Sequence, residues 1–75
     1  MDIRRIAAEN IRFIRQKRKL SQEALAAKSG ISHSYIKYIE RAEKSVSIVK
    51  LEKIAKALKV APGLLLEQGA HHGIK

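Results

Sequence analysis

The chain has no cysteine. That removes disulfides, thiolate metal sites and cysteine nucleophiles at a stroke. It has one proline and four glycines, and the glycines are scattered, so no Gly-rich phosphate loop is present. No helical segment carries two histidines four apart, which excludes the commonest helical zinc pair. No apolar run approaches the ~20 residues that a membrane span needs. The N-terminal stretch MDIRRIAAENIRFIRQKRK is charged throughout and lacks the ~7–15-residue apolar centre of a signal peptide. Strand-like alternation and internal repeats are missing as well. Acidic side chains are scarce, 7 against 16 Lys and Arg, and the pI is near 10.3. These features are compatible with a reducing compartment, and a small all-helical, cytoplasmic domain is expected. They give enzyme chemistry little to stand on, and no cofactor or metal is expected.

What is present is basic and helical. Seventy-five residues make one domain. A core that small supplies only about 3–5 kcal/mol. With no disulfide or metal to help, association with a second copy is the expected reinforcement. Residues 1–41 hold 10 basic and 4 acidic side chains, and residues 42–75 hold 6 and 3. The positive excess is thus larger in the first half. A basic surface attracts polyanions, nucleic acid first and acidic membrane second. A membrane-surface helix is the poorer reading, because the apolar stripe of the first helix is needed for the core.

The segment LSQEALAAKSGISHSYIKYIE, from Leu20 to Glu40, holds the most information. Ser21 can cap a helix over about 22–28, with Leu25 and Ala26 facing in. Gly30 stands where that helix should stop and can take the left-handed backbone of a sharp turn. Ile31 plugs the core. Ser32 caps a further helix over about 33–41, whose Ile36 and Ile39 form its apolar stripe. His33, Ser34, Lys37 and Tyr38 are left facing outward. A polar outward helix after a Gly turn, on a basic protein, points to a helix-turn-helix that reads DNA. Around this segment, Asp2 caps a first helix ending near 17–19, with Ile3, Ala7, Ile11 and Ile14 on one stripe. Ser47 caps a fourth helix to about Leu58, with Leu51, Ile54, Ala55 and Leu58 inward. Val60 plugs the next turn, and Pro62 opens a short fifth helix. Arg12, Arg18 and Lys28 read as solvated face, and Phe13 as a packing residue. His71 and His72 are adjacent and therefore diverge on a helix, so residues 68–75 are expected to be a flexible tail after a 1–67 domain.

From Ile11 to Leu66, the pieces IRFIR, LSQEALAAKSGIS, SYIKYIER and LEKIAKALKV resemble the Cro/C1-type helix-turn-helix domain. This is the xenobiotic-response-element family of phage repressors and bacterial regulators. The resemblance implies a compact five-helix, lambda-repressor-like domain. It assigns base readout to His33, Ser34, Lys37 and Tyr38. It assigns phosphate contact to Ser21, Gln22, Arg41, Lys44 and Ser47, with the Tyr35 hydroxyl turned towards the DNA backbone. Arg15 and Glu40 match a pair that links the first and third helices as an ion pair.

The chain departs from the family pattern at informative places. Lys19 stands where Gly is frequent before Leu20. Ala42 begins a stretch that often runs Gly-x-x-x-Pro-Ser, and Val46 replaces its Pro. An apolar residue there, followed by Ser47-Ile48, is similar to controller proteins of restriction–modification systems, which are short, dimeric regulators. Val46, Val49 and Leu64 fall at or near positions the family keeps polar, which suggests a dimer surface on the last two helices. The expected protein is a homodimeric regulator on a pseudo-palindromic operator, with half-sites about 34 Å apart. RNA polymerase is a candidate further contact. The rival roles are a phage-type repressor, an antitoxin, or an interaction module that has kept the fold without binding DNA.

Overall fold

Four polar side chains start four helices in the computed structural model, which describes residues 2–69. Asp2 accepts from the Arg4 amide and opens α1 (Ile3–Lys17). Ser21, Ser32 and Ser47 accept from the amides of Ala24, Tyr35 and Lys50. They open α2 (Gln22–Ser29), α3 (His33–Glu40) and α4 (Ile48–Leu58). Each cap satisfies an amide that has no partner within its helix. The amide of Arg4, ahead of that residue's side chain, holds the Asp2 carboxyl below its ordinary pKa.

The helix ends share one device. Lys19, Gly30, Ala42 and Lys59 all take left-handed backbone, with φ of 59°, 72°, 60° and 62°. At each, the following amide bonds back five residues: Leu20 to Arg15, Ile31 to Ala26, Glu43 to Tyr38 and Val60 to Ala55. These are Schellman-type stops, and only Gly30 makes one without a Cβ penalty. Ala42→Gly should therefore stabilise the domain by about 1 kcal/mol. In a domain of this size that is a rise of about 4–8 °C in melting temperature by circular dichroism. An unchanged or lower melting temperature would show that the αL strain is not felt there.

The helices bury one core. Ile11, Ile14, Leu25, Ile36, Ile39, Ile54, Leu58 and Leu65 are essentially inaccessible. The expected fifth helix is a 3-10 turn, Pro62–Leu66. Its bonds run three residues back, from Leu64 to Ala61 and from Glu67 to Leu64. Five residues starting Pro-Gly are too few to nucleate an α-helix, and Leu65 alone turns fully inward. The described part of the fold is thus four α-helices and a 3-10 turn, with no strand.

The first helix buries more than its stripe. Ile6, Ala8 and Asn10 are buried beside Ala7, Ile11 and Ile14, while Ile3 is 52% exposed. The 3-10 turn packs on this helix and widens its buried face. The Asn10 amide donates to the carbonyls of Leu65 (3.0 Å) and Glu67 (2.8 Å), tying the end of the domain to its beginning. Gln68 and Gly69 form an exposed turn beyond that tie. Residues 70–75, with His71 and His72, lie outside the described residues.

Candidate nucleic-acid interface

The third helix has two unlike faces. Ile36 and Ile39 are buried at 0% and 1% exposure, which fixes its inner side. Ser34, Lys37 and Tyr38 are exposed and His33 is half-buried. Steps of three and four place Ser34, Lys37 and Tyr38 on one ridge, with His33 beside Lys37. All four expected base-reading side chains are thus brought together on the outer face. None of them is needed to hold the helix.

A polar network sets the angle at which that face is presented. Arg15 donates from Nε to Glu40 Oε2 at 2.7 Å and from Nη2 to Oε1 at 3.0 Å. Its third donor, Nη1, reaches the Leu20 carbonyl at 2.8 Å. Gln22 Nε2 donates to Glu40 Oε1 at 3.1 Å. The side chains of Arg15 and Glu40 are 11% and 3% exposed. The expected ion pair therefore exists, and it does more than join two helices. One carboxylate gathers α1, the start of α2 and the end of α3. The planar guanidinium fork suits the task because its donors diverge in fixed directions.

Gln22 thus stands at the first turn of α2 with one amide N–H committed to Glu40. Its second N–H is available to a ligand, as is the positive end of the helix. Ser21 is exposed beside it with its hydroxyl accepting from Ala24.

The loop after α3 is fastened by the aromatic residues. The Tyr35 hydroxyl donates to the Ser45 carbonyl at 3.0 Å, and Lys50 Nζ sits 3.8 Å from the Tyr35 ring centre. The hydroxyl expected to face DNA thus spends its one proton on a bond within the protein. Lys44 Nζ lies 5.0 Å from the centre of the Tyr38 ring. The ring quadrupole attracts each ammonium, so the loop and the start of α4 are drawn against α3. Arg41 is exposed, with Glu43 at 3.9 Å, and Ser47 is exposed as the cap of α4. The basic loop residues thus border the outer face of α3.

The candidate dimer residues separate. Val49 is 62% exposed, whereas Val46 and Leu64 are half-buried and pack against the core. Ile48, which the sequence reading did not select, is 86% exposed. With Ile3, Val46 and Leu66 it borders an apolar groove that also meets Ala7, Ile39 and Leu51. Its signal was its place at the first position of α4, off the inward stripe. Among the described residues no cluster of His, Cys, Asp and Glu could hold a metal, and no helix is long and apolar enough to cross a membrane.

The sequence profile of the helix-turn-helix family matches residues 11–65. The chain belongs to that family. Among its helix-turn-helix relatives is the control protein C.SmaI of Serratia marcescens. The two are 47% identical over 70 residues, spanning 92% of this chain and 83% of the relative. Two solved structures share the fold. The hypothetical transcription factor NHTF from Neisseria superposes with a TM-score of 0.89 at 34% identity, over 95% of this chain and 82% of the other. The restriction-modification controller protein C.AhdI from Aeromonas hydrophila gives 0.80 at 37%, over 83% and 94%. The similarity to controller proteins thus rests on sequence and structure together.

Proposed function

We propose that this protein is a homodimeric, sequence-specific transcription regulator of the controller type. The observation that carries the reading is the exposed ridge of Ser34, Lys37 and Tyr38, held at a fixed angle by the buried Arg15–Glu40–Gln22 network. Ridge and flanking cations divide the labour of recognition. Ser34, Lys37, Tyr38 and His33 meet base edges in the major groove. Gln22, Ser21, Arg41, Lys44 and Ser47 meet phosphates, which set register without reading sequence. Tyr35 acts from behind, by holding the loop.

Two copies would join through the surface at the start of α4. Ile48 and Val49 offer adjacent exposed apolar side chains, and the groove beside them accepts apolar groups. A second copy covers both and places two recognition helices about 34 Å apart. Restriction-modification controller proteins are among the relatives, so regulation of such genes is the proposed role.

Selection of bound duplexes from a random pool at about physiological salt tests the function. A pseudo-palindrome with half-sites near one helical turn apart is the expected result. No enrichment, or binding lost at modest salt, would reject sequence-specific regulation. For the dimer, Ile48→Asp should shift the protein to monomer in analytical ultracentrifugation and weaken operator binding by about 100-fold or more, as a buried charge in an apolar interface costs several kcal/mol. Because Ile48 lies outside the core, the monomer should remain helical. A variant that still sedimented as a dimer would place the interface elsewhere.

A further inference from the structure

A cluster of positive charge away from the recognition helix lies where three helices end. Two adjoining depressions share Lys28, Ala57 and Lys59. Arg18, beyond the end of α1, lines one, and Lys53 and Lys56 of α4 line the other. No carboxylate lines either depression. All five of these cations are exposed. The described carboxylates that form ion pairs spend them elsewhere: Asp2 on Arg4, Glu40 on Arg15 and Glu43 on Arg41.

Helix-dipole compensation does not account for so much charge. Three C-terminal ends bring about −0.5 each, roughly −1.5 in all, against five cations. The remainder is net positive and concave.

The patch is also continuous with the recognition surface. Lys50, Lys53 and Lys56 recur along α4 at steps of three, so the row winds about 60° round the helix at each step, and Lys59 follows just past its end. At 1.5 Å per residue, the track runs for about 13 Å. It begins at Lys50, over the Tyr35 ring of α3, and ends in the depressions. DNA carries one phosphate on each strand per ~3.4 Å of helix axis, so a row this long is on the scale of a few phosphates.

Resting on the proposed DNA-binding function, we infer that the α4 lysine track, with Lys28 and Arg18, binds the phosphate backbone of DNA outside the segment that α3 reads. Operator binding then depends on flanking DNA of any sequence, which curves towards the protein to reach the track. The occupant is duplex backbone because the partners are flexible point charges spread over a row that winds round α4 and over two neighbouring helix ends. Such a spread suits a regular polyanion better than one compact anion.

The test uses the selected operator as two labelled duplexes, the bare motif and the motif with about ten random base pairs on each side. Lys53→Gln/Lys56→Gln removes two charges from the track and keeps good helix formers. Arg5→Gln/Arg12→Gln removes two exposed charges from α1 and controls for net charge. The track variant should bind the flanked duplex about ten times more weakly than the unsubstituted protein. Its salt dependence there should be shallower by about 0.9 for each lost phosphate contact. On the bare motif it should match the unsubstituted protein, and the control variant should lose no flank dependence. Equal weakening on both duplexes, or none on either, would overturn the inference and leave the track as solvated surface. Binding of the bare motif by the unsubstituted protein tests the underlying reading separately.

Discussion

Replacing Ser34 and Lys37 together by alanine should abolish most of the protein's preference for its operator while leaving its fold intact. Both side chains are exposed on α3, and the buried contacts of that helix come from Ile36 and Ile39. Alanine is the best helix former, so the helix itself gains slightly. Each good base contact discriminates by about 1–3 kcal/mol. The pair should therefore lower the ratio of operator to scrambled-duplex affinity by about 30-fold or more. Loss of a phosphate contact gives a different signature. Lys44→Ala should weaken both duplexes alike and make the salt dependence shallower by about one. Competition binding against the two duplexes separates these patterns. Full discrimination by the double variant would mean that α3 is not the reading helix.

Loss of the Glu40 carboxylate should have the largest effect on stability. In Glu40→Ala, Arg15 keeps its bond to the Leu20 carbonyl but loses both carboxylate bonds, and Gln22 loses its partner. Breaking one side of a buried pair costs about 3–5 kcal/mol, because the remaining charge has no counter-ion. That is comparable to the whole stability of about 3–5 kcal/mol expected for so small a core. Glu40→Ala should thus be largely unfolded at 37 °C by circular dichroism. Glu40→Gln, which keeps the shape and an acceptor, should fold with a lower melting temperature. If Glu40→Ala melted within a few degrees of the unsubstituted protein, the network would be a weak surface pair despite its burial.

These two substitutions separate what α3 presents from what aims it. Ser34 and Lys37 are replaceable as far as folding is concerned, because water already solvates them. Glu40 is not, because it is the single acceptor for donors arriving from two other helices. The same distinction explains why the aromatic pair behaves differently from its sequence reading. Tyr38 stays on the outer ridge with Lys44 near its ring. Tyr35, three residues earlier, turns its hydroxyl to Ser45 and becomes part of the loop. The pattern SYIKYIE sets Tyr35 four residues before the inward Ile39 and Tyr38 on the outer side, but it does not name the partner of the Tyr35 hydroxyl. That partner is set by where the loop after α3 returns.

Local chemistry along the chain was enough to locate the helices. Asp2, Ser21, Ser32 and Ser47 are short polar side chains ahead of apolar periodicity, and each caps the helix expected of it. Gly30 stops α2 for a reason internal to its own backbone. The buried faces of α3 and α4 follow from spacing alone, since Ile36, Ile39, Leu51, Ile54 and Leu58 recur at helical intervals. The departures from family glycines at Lys19 and Ala42 pointed to positions that do take left-handed backbone. Other features depended on residues distant in sequence. Asn10 is an ordinary polar residue on a helix until the 3-10 turn, 55 residues on, supplies a carbonyl for its amide. Ile3 continues an apolar stripe yet stays half exposed, and Leu64 sits on a position that the core half-encloses. The lysines of α4 look like solvated face until the ends of α1 and α2 bring Arg18 and Lys28 beside them. Capping and periodicity are short-range and written in consecutive residues. Burial, shared acceptors and accumulated charge arise only when separate helices meet.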